Sequence, residues 1–390
     1  MSEKKLISSD VFEPFKFPDR TYITRESNNG IDYEDKLDFA LNTSGTLISI
    51  NGASKMGKSV LCDKVIPLEK QVSISGADFS ESEDFWETIA KKEGMPIEGY
   101  QKEDKKFDNE IHGKIERFKL TKDRVIEYFI EENKVLILDD FHYAPGEIQT
   151  KIANQLKDAI RRGFRVIIVS LPHRSDAPIR NNSDLAGRLS LIDIESWKIN
   201  DLKEIIKKGF SELNIKISDD ITDKIATESL TSPQLTQYIC LSICRLAKVD
   251  KQAVEEINGD VLEKAYKFTT ANFGYSDVVN VLSKGPLSKG KKRNIYKTKN
   301  GENMDLYQLI VESLADDPPL IGLTIDDIKN RVNKLIIDIN KPDRQKIKST
   351  IAKMEQIIME KDNFYRVFES KEDMVYITEP LFLFFLRWGR

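Results

Sequence analysis

Gly52-Ala53-Ser54-Lys55-Met56-Gly57-Lys58-Ser59 fits the pattern G-x-x-x-x-G-K-[ST], and the chemistry of a bound phosphate accounts for each fixed position. Glycines let the backbone curl so that successive N–H groups converge on an anion, and a side chain at Gly57 is expected to obstruct that approach. Lys58 brings a positive point charge to the β- and γ-phosphates of a nucleotide, and the Ser59 hydroxyl is suited to ligate Mg²⁺. The preceding Thr46-Leu-Ile-Ser-Ile50 alternates and is β-branched, as a strand should be. The following Val60-Leu-Cys-Asp-Lys-Val-Ile66 reads as a short helix that Pro67 stops. Strand, loop and helix in that order bring a helix N-terminus and its dipole to the phosphates. The stretch therefore predicts binding of ATP or GTP.

At 390 residues the chain is too long for one small core, and two or three domains are expected. A hydrophobic content of 40% beside 32% charged residues describes an ordinary soluble protein. The run Leu381-Phe-Leu-Phe-Phe-Leu386 is far too short to span a membrane, and Met1-Ser-Glu-Lys-Lys leads into no signal-peptide core. Cys62, Cys240 and Cys244 show no metal spacing; the last two, four apart on an expected helix, read as core. A reducing, cytoplasmic setting follows. The net charge of −4 gives no global attraction to nucleic acid, so any such binding must come from a local patch.

Five short apolar runs punctuate the first half: Thr46–Asn51, Gln71–Ser75, Lys134–Asp139, Arg165–Ser170 and Leu191–Ile194. Helical patterns lie between them. Ile148, Ile152, Leu156 and Ile160 recur every fourth residue ahead of Gly163, and Phe85, Trp86 and Ile89 precede Gly94. Alternating strands and helices imply a parallel sheet covered on both faces. The charged stretch Tyr100–Glu110 reads as a surface excursion. From Asn200 the pattern turns helical: Leu202, Ile205, Ile206 and Phe210 form one stripe, Ile221, Ile225 and Leu230 another, and Pro233 opens a helix through Leu235, Ile239 and Ile243. A third unit begins near Asp260. Met304–Ala315, a helix opened by the capping box Thr324-Ile-Asp-Asp327, and a helix through Ile347, Ile351, Met354 and Ile358 come before two strand-like runs, Tyr365–Phe368 and Val375–Thr378. Three helices and then a hairpin is the order of a winged helix-turn-helix.

Val135-Leu-Ile-Leu-Asp139-Asp140, about eighty residues after the phosphate loop, is an apolar strand ending in two acids, the Walker B pattern. Asp139 is expected to hold Mg²⁺ through its water shell beside Ser59, and Asp140 to polarise or deprotonate the attacking water. The fourth run ends at Ser170 and continues through Leu171-Pro-His-Arg174, so Ser170 or Arg174 is a candidate reporter of the γ-phosphate. Arg188, just before the fifth run, is a candidate to reach a neighbouring subunit's phosphate.

These residues carry a resemblance. The chain resembles AAA+/STAND-type P-loop ATPases, closest in layout to the archaeal-type ATPases and the Orc/Cdc6-like initiators, over most of its length. The resemblance implies an α/β fold of the ASCE P-loop NTPase type: a parallel sheet in the order 5-1-4-3-2, a helical lid and a C-terminal winged helix-turn-helix. It implies an N-terminal segment over 1–40, an ATPase core over 41–198, a lid over 199–255 and a winged-helix domain with a basic arm over 256–390. Tyr22-Ile-Thr-Arg25 occupies the place of the family's adenine-packing element, so Tyr22 and Arg25 join Gly52, Ser54, Lys55, Met56, Gly57, Lys58, Ser59 and Val60 as nucleotide-binding candidates. Thr231-Ser-Pro233 resembles the lid element whose proline contacts the nucleotide, with serine at the family's glycine position or an offset of one. Tyr376-Ile-Thr-Glu-Pro-Leu-Phe382 resembles the close of the family's winged helix. An aspartate replaces the usual glutamate at Asp140, which favours slow hydrolysis or a switch that mostly holds nucleotide. No second-sensor arginine stands out in the lid.

Lys284, Lys289, Lys291, Lys292, Arg293, Lys297 and Lys299 fall in a stretch without an acid, with Tyr296 among them. This run reads as a phosphate-contacting arm for duplex DNA, supported by Arg344, Lys346, Lys348 and Lys353, or as a solvated linker. Docking of an acidic partner, or contact with a neighbour's nucleotide, is a third use. The leading expectation is an ATP-dependent switch, with ATP bound between sheet and lid and homo-oligomers formed through Arg188, acting on a separate effector protein in signalling or antiviral defence. The alternative is a DNA-bound ATPase resembling replication initiators or transposition regulators. No N-K-x-D guanine motif is present, and adenine rests on the resemblance.

Overall fold

The computed structural model describes residues 6–79, 84–107, 110–171, 185, 187–286, 293–361 and 366–390, with the backbone alone at 99–107, 110–118 and 142. The chain divides into two compact units, one of Thr24–Ala53 with Gly57–Glu195, the other of Met1–Ile23, Ser54–Met56 and Ser196–Arg390.

The first unit runs α1 (Tyr33–Asn42), β1 (Leu47–Asn51), α2 (Lys58–Val65), β2 (Gln71–Ser75), α3 (Phe85–Glu93), β3 (Glu98–Phe107), β4 (Glu110–Lys119), α4 (Lys122–Glu131), β5 (Val135–Asp139), α5 (Gly146–Arg161), β6 (Arg165–Ser170) and β7 (Leu189–Asp193). Five strands form one parallel sheet in the order β2-β5-β6-β1-β7, which is the expected 5-1-4-3-2. The middle strands are apolar on both faces because helices cover both. α5 buries Ile148, Ile152, Leu156 and Ile160, the four residues whose spacing predicted it. Trp86 and Phe129 both pack on Phe164, with ring centroids 5.6 and 4.9 Å away, and fix α3 and α4 beside β6. Asp84 caps α3 through the Trp86 and Glu87 amides, and Gly94 ends it in the left-handed conformation that glycine adopts without strain.

Three expectations change here. The charged stretch Tyr100–Glu110 belongs to a β-hairpin in which β3 and β4 pair from Glu98↔Lys119 to Phe107↔Glu110. The phosphate-loop helix begins at Lys58 rather than Val60. The fifth strand starts at Leu189, two residues before its apolar part.

The second unit is built mainly of helices: α6 (Ile199–Glu212), α7 (Asp219–Glu228), α8 (Pro233–Leu246), α9 (Leu262–Thr270), α10 (Ser276–Lys284), α11 (Leu306–Leu314), α12 (Ile325–Leu335), α13 (Arg344–Met359) and α14 (Pro380–Trp388). Two small antiparallel sheets join them: β8 (Ile295–Lys297) with β9 (Asn303–Asp305), and β10 (Gly322–Thr324), β11 (Phe368–Lys371) and β12 (Met374–Ile377) in the order β10-β12-β11. One hydrophobic core runs through this unit, from Phe12 and Phe210 to Ile239, Leu309, Ile351 and Phe384. Gly209 is required where the Phe12 ring lies on α6, since a Cβ there would stand 2.2 Å from that ring. α11, α12 and α13 with the β10–β12 sheet make a winged helix. The Thr324 box closes as expected: the Asp327 amide donates to Thr324 Oγ1 at 3.0 Å and the Thr324 amide to Asp327 Oδ2 at 2.9 Å. The first strand-like run is shifted, since β11 begins at Phe368, and Tyr365 lies outside the described residues.

Four of the basic residues, Arg293, Arg344, Lys346 and Lys348, have partners within the chain. Arg293 donates to the Lys284 carbonyl and to Asp305 Oδ2 at 2.7 Å, and lies over the Tyr307 ring at 4.7 Å. Arg293 thus has partners within the fold beside its place in the expected basic arm. Arg344 pairs with Asp326 and Asp373, Lys348 with Asp373, and Lys346 donates to the Tyr296 hydroxyl at 2.9 Å. Such pairs add little stability, but they offset the charge that phosphates would attract. Lys289, Lys291 and Lys292 lie outside the described residues.

Candidate phosphate and Mg²⁺ site

β1 delivers the chain to Gly52 at the C-terminal edge of the sheet. A Cβ on Gly52 would meet the Ile194 carbonyl at 3.0 Å and Ile194 Cβ at 3.2 Å, so glycine lets the loop pass close under the exit of β7. Gly57 is required for a different reason. It sits at φ 89°, ψ 22°, the left-handed region, and a Cβ there would meet no atom within 4 Å. The left-handed backbone is thus a requirement for glycine here in addition to the room an approaching anion needs. Lys55 also holds positive φ, at 63°, without glycine's freedom.

Lys58 opens α2, and its buried ammonium donates to the Gly52 and Ala53 carbonyls, both at 2.8 Å. Ser59 follows, exposed, and its hydroxyl donates to Asp139 Oδ2 at 3.1 Å. Val60 is half-buried in the same turn. Ser54–Met56 group with the second unit, where the Trp197 indole N–H donates to the Met56 carbonyl at 3.0 Å.

Asp139 ends β5. Burial pushes its carboxyl up from the ordinary value, and the neighbouring Asp140 charge adds to this; the bonds from Ser59 and from the Asp140 amide and the Lys58 charge oppose both. An ionised Asp139 is therefore electrostatically uncomfortable without a cation. Asp140 is exposed, turns at φ 48°, ψ 39°, and donates its amide to Asp139 Oδ1 at 2.9 Å. Room for this turn comes from Gly76, where a Cβ would stand 2.4 Å from the Asp140 carbonyl and 2.8 Å from Phe141 Cα. Gly76 is a site residue that sequence reasoning missed; its signal was a glycine directly after the second strand.

Ser170 is fully buried at the end of β6 and donates to Asn51 Oδ1 at 2.7 Å, while Asn51 Nδ2 donates to Asp193 Oδ1 at 3.1 Å. A polar chain thus crosses the ends of β6, β1 and β7. Asn51 is a second residue missed, hidden as the last position of an apolar strand. Arg174 lies outside the described residues.

Arg188 precedes β7, at the opposite end of the strands from Lys58, and donates to the Gly45 carbonyl at 3.3 Å. With about 3.3 Å per residue, the strand separates it from this chain's own phosphate loop by roughly 16 Å. Arg25 donates to the Glu195 carbonyl at 3.0 Å and lies over the Tyr33 ring at 5.6 Å, and the Tyr33 hydroxyl accepts from the Glu195 amide at 3.1 Å. Both fasten the segment after β7. Tyr22 belongs to the second unit, stacked on Phe17 at 5.4 Å with its carbonyl accepting from Lys208 at 2.9 Å. Pro233 is the first residue of α8, whose cap Ser232 accepts from the Leu235 amide at 3.2 Å; Leu230 and Thr231 just before it both have positive φ, 51° and 59°.

Ser59 and Asp139 fit Mg²⁺ as a pair of hard oxygens. Among the described residues no group of three or more His, Cys, Asp or Glu side chains could hold a metal unaided.

No protein-family model matches the chain, and no curated protein matches it. Solved structures do. The Walker-type ATPase of Pyrococcus abyssi is 12% identical with a TM-score of 0.50, covering 91% of this chain and 94% of that one. Cdc6p from Pyrobaculum aerophilum is 16% identical with a TM-score of 0.48, covering 97% and 98%. Drosophila ORC bound to DNA is 11% identical with a TM-score of 0.43, covering 97% and 90%. The likeness to the Pyrococcus ATPase, with the parallel order β2-β5-β6-β1-β7 found here, gives the chain an AAA+-type P-loop fold with a C-terminal winged helix.

Proposed function

We propose that the chain binds ATP with Mg²⁺ and hydrolyses it slowly, as a switch that controls a partner protein or its own assembly. The observation that carries this reading is the 3.1 Å approach of Ser59 Oγ to Asp139 Oδ2, one residue along α2 from the buried Lys58 ammonium. Lys58 and the α2 N-terminus supply positive charge for phosphate oxygens. Ser59 and Asp139 would hold the metal, which neutralises charge on those oxygens when bound. Asp140, exposed beside them, is the group to accept a proton from the attacking water; its shorter side chain is the reason to expect slow turnover. Ser170 acts through Asn51, holding the strand end behind the loop. Tyr22, Arg25 and Pro233 are assigned to the nucleotide's adenosine side by the resemblance alone, and Arg188 to a neighbouring copy's phosphate.

Only a ligand with different affinities for two arrangements can drive a switch, so ATP and ADP must differ in what they favour. Duplex DNA as the target is less supported, since Arg293, Arg344 and Lys348 are bonded within the chain. Equilibrium binding of ATP and ADP with and without Mg²⁺, on wild type and Ser59→Ala, tests the reading. Mg²⁺ should strengthen ATP binding in wild type and much less in Ser59→Ala; equal Mg²⁺ dependence in both would contradict the metal assignment.

A further inference from the structure

A cavity open to solvent lies in the first unit, away from the phosphate loop. It has a volume of about 220 Å³ and is lined by residues 40–46, from the end of α1 to the start of β1, by Ile48, and by Gly163–Val166, where α5 turns into β6. These are the N-terminal ends of β1 and β6, a strand's length from Lys58.

Arg165 lines this cavity, half-buried, and has neither an ion pair nor a hydrogen bond among the described residues. Burial acts on its guanidinium with no carboxylate to offset it, so its pKa is pushed down. Arg25 and Arg188, half-buried in the same unit, have acceptors, the Glu195 and Gly45 carbonyls. Ser44, exposed, and Gly45, which turns the loop at φ 77°, line the same cavity, and their amides have no acceptor among the described residues. A half-buried guanidinium without a counter-charge, in a cavity that these two amides also line, is a donor set suited to an anion. The volume lies below the roughly 300 Å³ at which pockets begin to enclose drug-sized ligands, so an ion fits and a whole nucleotide does not.

We propose that this cavity binds a small tetrahedral oxyanion, a phosphate group, on the Arg165 guanidinium and the Ser44 and Gly45 amides. The site is separate from the phosphate loop and independent of ATP binding there.

The test is a titration of the ¹⁵N-labelled full chain with inorganic phosphate at constant ionic strength, following the Ser44 and Gly45 amide shifts. Wild type and Lys58→Ala should both show saturable shifts, the second because loading of the phosphate loop is not their source. Arg165→Met should bind about tenfold more weakly or worse, and Arg165→Lys, which keeps the charge but loses the fork, should fall between. No saturable shift in wild type, or equal binding in wild type and Arg165→Lys and Arg165→Met, would overturn the proposal and leave Arg165 as a cation near the C-terminal end of the α5 dipole. A shift by acetate as large as that by phosphate would also overturn it. AMP in place of phosphate separates the sources: equal shifts assign an esterified phosphate, and shifts with phosphate alone assign the free ion.

Discussion

Asp140 reaches its position through a backbone that a non-glycine residue resists, at φ 48°, and Gly76 makes space for that turn. Two predictions belong here. Asp140→Asn should leave ATP affinity unchanged and slow steady-state hydrolysis about 100-fold or more, the range lost with a general base. Undiminished turnover would remove Asp140 from the chemistry. Gly76→Ala should cost about 1–3 kcal/mol in urea unfolding, since its Cβ would lie 2.4 Å from the Asp140 carbonyl, and should slow hydrolysis with it. Lys58, Ser59, Asp139 and Asp140 were legible in the sequence because phosphate and metal chemistry fixes residue type at fixed spacing. Gly76 and Asn51 were not, since their importance lies in neighbours 64 residues away at Asp140 and 119 at Ser170, distances along the chain that spacing does not encode.

Among the elements, α7 and α14 are joined by the least exposed ion pair of the second unit. Arg387 Nε and an Nη donate to Glu228 at 3.0 and 2.7 Å, and the Trp388 indole donates to the same carboxylate at 2.7 Å. The two side chains are only 9% and 12% exposed, and without Glu228 the guanidinium keeps Asp317 at 2.8 Å and the Ala315 carbonyl at 2.6 Å but loses its buried carboxylate. Glu228→Ala should destabilise the protein by about 1–3 kcal/mol in urea unfolding, the cost of charge-assisted bonds lost from a buried site. A loss below about 1 kcal/mol would place the pair with ordinary surface bridges. The period-2 and period-3.6 patterns made most of these strands and helices legible, and the order of α11, α12, α13 and the hairpin gave the winged helix. The β3–β4 hairpin escaped because its strands carry charge on most positions and no apolar alternation. The pairing of Arg293 with Asp305 was not legible, because sequence shows the arginine's charged neighbours but not its partner across β8 and β9.

For the whole molecule, Arg188 decides between a self-contained ATPase and one completed by a second copy. It stands at the far end of the strands from Lys58, so any action on a phosphate must be on a neighbour's. Hydrolysis per chain should therefore rise with protein concentration in wild type and stay flat in Arg188→Ala; concentration-independent turnover in wild type would rule out a role in trans. A switch driven by ATP requires that the loop Gly52–Ser59 hold the phosphates through Lys58. The most direct measurement is the equilibrium affinity of wild type and Lys58→Ala for ATP in Mg²⁺. Losing a charge-assisted donor should weaken binding by about tenfold to a hundredfold, and equal affinity in the two proteins would contradict the claim.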